Sequence, residues 1–385
     1  MISKMFFLII STYLLFFFFS CGKKTILTET DSAGKIVPIE VNKGENLFYS
    51  QVFDRVEYVK LETNDNVLIK DVTKVICRRD TIYILDKRMQ TVFCFDKLGK
   101  CLWKINDQGA GPNEYMQLMD FDIDNKSGKI YLLSRMEKIL IYNSNGIYLE
   151  QIHFVESVFS MNVNDDYLYF YTGNLDYSSG LYPAGFSLLI RNIATKEVFG
   201  RIPLNGEFLD SYYSFNSSGA FCNNGDGIIR FFMPFSNKIY SLHENNVQVE
   251  YTLDFGKYTI PKEYFLSHSV EDLKNTGFMY GLNLYWENHC YLGFNVKFDK
   301  EDHSFLIYSK EKNKLYHHFY DDIAHCFPQI QQVTNEYLIG SRNIQDLHVE
   351  YNFSKKDKAG TILEKIISET SEDDNPVLFF YYLKK

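Results

Sequence analysis

The sequence predicts an all-β fold, a six-bladed β-propeller closed by pairing of its N- and C-terminal strands and carrying two short helical insertions. Three observations lead there. A unit of three strands and a Gly-rich exit loop, Thr81 to Tyr115, recurs along the chain; its spacing is about that of a propeller blade; and one strand is left without a blade at each end.

The founding unit has strands at Ile82 to Leu85, Val92 to Phe95 and Cys101 to Ile105, with Asp96-Lys97-Leu98-Gly99 turning between the last two. Its nearest relative lies roughly 48 residues on, where Ile130 stands for Ile82, Tyr142 for Phe95 and Gly146 for Gly99. Weaker copies follow at Tyr167 to Asn192, Ile228 to Gly256, His289 to Tyr320 and Pro328 to Ser341, which brings the count to six. Apolar and polar residues alternate only partly within these strands, as expected where a sheet packs on both faces. Arg55 to Thr63 and Val377 to Lys385 are the unassigned end strands. Pairing them in the sixth blade, the N-terminal strand outermost, removes both open edges.

Ahead of the ring stand Lys4, an apolar run from Met5 to Phe19 and then Ser20-Cys21-Gly22. The run is shorter than the roughly 20 residues a spanning helix needs, and its order is that of a secretory signal. Ser20-Cys21-Gly22 resembles a bacterial lipobox, so residues 1–20 are expected to be removed and Cys21 to carry a lipid. Residues 21–47, polar from Thr25 to about Glu45, read as the lipidated cysteine and a flexible tether, and residues 48–385 as the propeller. Aromatic residues make up 17% of the chain and suit strands and the wedges between blades. Two segments break the strand pattern. Pro261 to Gly277 has Pro at a helix start and Gly beyond its end. Ser354 to Thr370 has Ser354 and Asp357 at capping-box spacing and an apolar stripe of Leu363, Ile366 and Ile367, which would pack on the sixth blade.

The net charge of −9, with no basic cluster beyond two adjacent lysines, argues against a nucleic-acid partner. Of seven cysteines, Cys94 and Cys101 are the close pair. With a three-residue hairpin loop, Phe95 faces Cys101 and Cys94 faces Leu102, so the two thiols point to opposite faces; a two-residue loop would set them opposite each other. No zinc spacing and no hydrolase or nucleotide motif occurs, and the adjacent His317 and His318 point to opposite sides of a strand.

Two stretches are candidate sites. Asp120, Asp122 and Asp124 share one strand face. They are read as a solvated edge running into an Asp/Asn turn, with calcium as the alternative. The loop Asp107 to Tyr115 has Gly109 and Gly111 for unusual backbone angles and Pro112 for stiffness. It can present Asn113, Glu114 and Tyr115 to a ligand, or only shape the passage from blade one to blade two.

At this loop the chain resembles a known family. Gly109 to Tyr115 is similar to a G-x-G-P-x-E-Y motif of the six-bladed β-propeller lipoproteins of Bacteroides and related bacteria, relatives of the NHL-repeat propellers; Asn237 to Gly256 and Asp374 to Lys384 match as well. The resemblance implies a propeller in the cell envelope and brings no catalytic residues. The expected function is a lipid-anchored, monomeric binding or scaffold module for a glycan, a peptide or an envelope protein. The alternative is a hydrolase or lyase with carboxylates converging near the channel, for which Glu114, Asp120 and Asp71 are the candidates.

Overall fold

A computed structural model describes residues 34–39, 45–135, 138–153, 158–173, 185–204, 220–223, 228–261, 263–264, 270–273, 276–298, 301–320, 329–334, 336–353 and 361–384. Cys21, His317 and His318 as side chains, and the Ser354 and Asp357 cap lie outside the described residues. Six antiparallel sheets form the blades of a ring. Blade one is Lys74–Arg78, Thr81–Asp86, Thr91–Asp96 and Cys101–Ile105; blade two is Leu118–Ile123, Ile130–Ser134, Lys138–Tyr142 and Tyr148–His153. Blade three runs from Ser160–Asn164 to Val198–Gly200, blade four from Phe221–Asn223 to Asn246–Asp254 and blade five from Tyr280–Glu287 to Lys314–Tyr320. The first strand of each blade is innermost, and these first strands contact one another around the axis.

The ring closes as the end strands require. Blade six takes Gln329–Val333, Tyr337–Arg342 and Val377–Leu383, and its outermost strand is Phe53–Lys60, running antiparallel with Val377 opposite Lys60. Alternation explains why Val377–Leu383 is apolar throughout. Val377, Phe379 and Tyr381 pack toward the helical insertion, whereas Leu378 and Phe380 pack against Ile84, Phe93 and Phe95 of blade one.

The repeated turn glycines have a shared cause. Gly99 sits at φ +86° and Gly146 at φ +74°. Asp96 and Asn143 hold the two turns alike, each side-chain oxygen accepting from two backbone N–H groups, those of Leu98 and Lys100 or of Asn145 and Ile147. Each turn also presses on the preceding blade: a Cβ at Gly99 would lie 2.0 Å from the Lys60 carbonyl oxygen, and one at Gly146 would lie 2.8 Å from the Trp103 ring.

Three sequence expectations are corrected. The tether is not free along its length: Lys35–Pro38 adds a parallel fifth strand to blade four beside Asn246–Asp254, and Glu45–Phe48 does the same for blade five beside Lys314–Tyr320. Ile36, Val37 and Ile39 supply too much apolar surface for a solvated spacer, and Val37 and Ile39 are buried between these blades. In the Cys94 hairpin a bulge shifts the register, so Cys94 faces Trp103 and not Leu102, while Phe95 faces Cys101. Both thiols are free, Cys94 packed toward blade two and Cys101 toward blade six. The second insertion holds two helices, Ile344–Phe353 and Ile362–Glu369, between the second and third strands of blade six. The latter is capped by Thr361, whose hydroxyl accepts from Glu364 N. Leu363 and Ile366 of the expected stripe are buried on blade six. Within the first insertion the helical turn Val270–Leu273 is described.

Candidate functional site

The Gly-rich loop folds back on itself. Glu114 turns inward and its Oε2 accepts from Gly111 N at 2.7 Å; a Cβ at Gly109 would lie 2.0 Å from the same oxygen. Gly109 N donates to Tyr115 O, Tyr115 N to Asp107 O, and Lys138 Nζ to the carbonyls of Gly111 and Pro112. Tyr115 is fully buried between blades one and two, and its hydroxyl donates to Gln90 O at 2.6 Å. Burial, with the Asp107 charge added, pushes its phenol far above the ordinary value. The loop therefore unites Gly109, Gly111 and Glu114 in a self-satisfied brace, buries Tyr115 and leaves Asn113 exposed.

The three aspartates share a face, as alternation requires, but that face is buried, not solvated. Across it lies the first strand of blade three. Asp120 Oδ2 accepts from Met161 N at 2.9 Å, Asp122 Oδ2 from Val163 N at 2.7 Å and Asp124 Oδ1 from Asp165 N at 3.0 Å. Each carboxylate takes the place of a sheet carbonyl, joining two blades whose backbones are too far apart to pair. Asp124 Oδ2 also accepts from the Ser127 backbone N–H and hydroxyl. Lys74 of blade one completes the row, its Nζ 3.0 Å from Asp120 Oδ1 and 2.7 Å from Phe121 O. Burial raises the Asp122 carboxyl to about 6, against the opposing pull of Lys74. The oxygens are distributed along the strand on separate amides, and among the described residues no three His, Cys, Asp or Glu side chains gather as a metal site. A similar stitch joins blades six and one, where Gln332 Oε1 accepts from Cys77 N at 2.8 Å.

Two cavities lie against the innermost strands. On the face where the chain passes from blade to blade, a cavity of about 590 Å³ is lined by Asp71, Asn295, Phe305, Arg342 and Asp346 among others. Asp71 there accepts from the Thr73 hydroxyl at 2.7 Å, and Arg342 pairs with Glu350 at 2.9 Å. On the opposite face, a cavity of about 530 Å³ is lined by the first strands of all six blades. Its polar lining is dominated by side-chain amides: Asn125, Asn162, Asn164, Asn223, Gln331 and Gln332. The Asn162 side chain is buried, yet its Oδ1 has no hydrogen-bond partner; Asn295 Oδ1 is in the same position in the other cavity.

Of the sequence candidates, Asp71 lines one cavity, Asp120 is buried and paired to Lys74, and Glu114 belongs to the brace. Sequence reasoning did not single out the amides. Their signal was the alternation of Asn162 and Asn164 in the first strand of blade three, matched by Asn or Gln in the first strands of blades four and six. A second unread group is Glu287, buried between blades four and five. It accepts from Arg230 Nε at 2.6 Å, from Tyr251 at 2.8 Å, from Tyr285 at 3.1 Å and from Lys310. Burial alone would raise its carboxyl; Arg230 and Lys310 more than offset this and hold it below the ordinary value.

With this geometry in place, the chain can be compared with known proteins. The sequence profile of the family described as "Domain of unknown function (DUF4934)" matches residues 34–382. No curated protein matches the sequence. Among solved structures, the chain is similar to a "Putative exported protein" of Bacteroides fragilis at 19% identity and a TM-score of 0.72, with 92% of this chain and 99% of that chain covered. It is also similar to a member of the DUF4221 family from Bacteroides vulgatus at 11% identity and a TM-score of 0.50, with 86% and 99% covered. At these identities the likeness speaks for the fold alone.

Proposed function

The chain belongs to the DUF4934 family, and we propose that it is an exported, lipid-anchored binding propeller, fixed to a cell-envelope membrane through Cys21, that receives a glycan, a peptide or part of an envelope protein at its central channel. The observation that carries this reading is the channel itself. Cavities of about 590 and 530 Å³ lie within the range of small-ligand sites; both linings mix polar and apolar side chains, and that of the second includes six side-chain amides. The apolar run before Cys21 and the export named for the Bacteroides fragilis protein support the location.

The catalytic alternative has one feature in its favour, the Asp122 carboxyl near 6 in the wall of the second cavity. A hydrolase of the general acid and base type needs a second carboxylate free to act. Asp120 is ion-paired to Lys74, Glu114 is enclosed in its loop and Asp71 lines the other cavity, which leaves Asp122 with only the exposed Asp165 as a second carboxylate in its own lining. Binding is therefore the better-supported reading.

Cell fractionation with an alkyne fatty acid tests the anchoring half. The chain is expected to take up the label and sediment with membranes, and Cys21→Ser is expected to lose the label. An unlabelled wild-type chain in the soluble fraction would overturn the anchor. Thermal shift against glycans and peptides tests the binding half, since a ligand of the folded state raises its melting temperature.

A further inference from the structure

We propose that the cavity at the carboxyl ends of the innermost strands is a saccharide site, in which the side-chain amides of Asn162, Gln331 and Asn125 hold the hydroxyl groups of a neutral sugar unit. This rests on the binding reading above and narrows it to one mouth of the channel and one ligand class.

Unmet hydrogen-bonding capacity is the first reason. A buried polar atom without a partner costs about 1–3 kcal/mol, and Asn162 Oδ1 is such an atom in the wall of a 530 Å³ space. Asn162 comes from blade three, Gln331 from blade six and Asn125 from the turn after the first strand of blade two, so three blades bring amides to one cavity. An amide offers an acceptor and two donors side by side. That combination suits a hydroxyl, which donates and accepts at once.

Charge is the second reason. The charged groups in the lining are Lys74 and Arg78 against Asp122 and Asp165. Lys74 is held by Asp120, Arg78 donates to Asn125 O at 2.8 Å, and Asp122 accepts from Val163 N. The Asp165 carboxylate stands exposed at the rim. With two cations and two carboxylates the lining carries no net charge to select a phosphate, a sulfate or a carboxylate, and an exposed carboxylate accepts readily from neighbouring sugar hydroxyls.

The third reason separates a sugar from a peptide. An extended peptide is recognised largely through its backbone, by adding to a free strand edge. The N–H groups of Cys77 on the innermost strand of blade one, of Met161 and Val163 on that of blade three and of Asp165 just beyond it are already taken by Gln332, Asp120, Asp122 and Asp124. Along these two blades, side-chain amides remain where those backbone amides do not.

The test uses the full-length chain in detergent, probed with an array of neutral mono-, di- and trisaccharides, with sialylated and sulfated sugars and with a tripeptide library. Asn162→Leu and Gln331→Leu are measured beside the wild type. Asn162→Leu removes an oxygen that bonds nothing in the protein, and Gln331→Leu, at a half-buried position, provides an independent variant should the first fail to fold. The expected result is capture of a neutral sugar that either folded variant weakens at least ten-fold without a matching loss of melting temperature. Capture of tripeptides or charged sugars with the same sensitivity would overturn the saccharide assignment and leave the channel as the binding site. Capture indifferent to both variants would overturn the channel reading as well, and silence across the whole array at millimolar ligand would overturn the saccharide site.

Discussion

Asp122 shows how one side chain can serve the architecture at a cost that depends on pH. Its carboxyl titrates near 6 in the folded chain against an ordinary 3.8, because burial outweighs both Lys74 and the bond from Val163 N. The folded state therefore holds the proton more tightly than the unfolded state. The stability this contributes is complete below about pH 4 and is lost as the pH rises through about 6, amounting to roughly 3 kcal/mol at about 1.4 kcal/mol per unit. Asp122→Asn keeps an oxygen for Val163 N but cannot ionise. Its unfolding free energy relative to the wild type, measured by denaturant titration, should therefore rise by up to about that amount between pH 4 and pH 7; a constant difference would mean that Asp122 titrates normally. In the sequence, alternation made the common face of Asp120, Asp122 and Asp124 legible. It could not reveal what lies across that face, because Met161, Val163 and Asp165 stand 41 residues further on. Glu114 teaches the same lesson at shorter range. The glycines marked an unusual loop, but their immediate use is to make room for a carboxylate that turns back into it.

Elements were legible where local chemistry defines them. The hairpins with Asp or Asn at the turn and Gly three residues later could be read, since that turn needs the left-handed glycine. The innermost strands were harder: Lys74–Arg78 and Phe221–Asn223 are short, and their apolar pattern is slight. The helix Ile344–Phe353 was missed for a similar reason, since only Ile344 and Leu347 are buried while Val349 and Phe353 are exposed. The two N-terminal straps were read as tether because a lone four-residue strand has no partner in its own neighbourhood; Lys35 pairs with Tyr251. If the strap is integral to the ring, a charge within it must be felt. Val37→Asp buries a carboxylate among Leu253, Phe255 and Phe294, and it is expected to cost about 3 kcal/mol or more or to release the strand. Limited proteolysis reads the second outcome as new cleavage between residues 35 and 48. An unchanged melting curve with no new cleavage would show the strap to be dispensable.

At the scale of the molecule, stability belongs to the seams, because every hydrophobic cluster draws on neighbouring blades. Tyr83 and Leu132 meet between blades one and two, Leu133 and Leu168 between two and three, and Tyr169 and Phe231 between three and four. Such a ring has no natural end, so the seam made by the chain termini governs the whole. That closure was legible in the sequence: a strand without a blade at each end has few other places to go. The channel was not legible, since its lining comes from six strands scattered over more than 250 residues, from Lys74 to Thr334. Removing Val377–Lys385 tests the dependence on closure. The deletion takes away five buried residues of the strand, strips Phe53–Lys60 of its only sheet partner among the described residues and uncovers Ile84, Phe93 and Phe95 of blade one. At roughly 2 kcal/mol for each large buried side chain, the loss is on the order of 10 kcal/mol, comparable to the whole stability of a folded domain at about 5–15 kcal/mol. The truncated chain is therefore expected to lack a cooperative thermal transition and to bind a hydrophobic dye at room temperature. A monomer that melts like the full chain would mean that five blades and an open seam suffice, and that the terminal strands serve only to cover an edge.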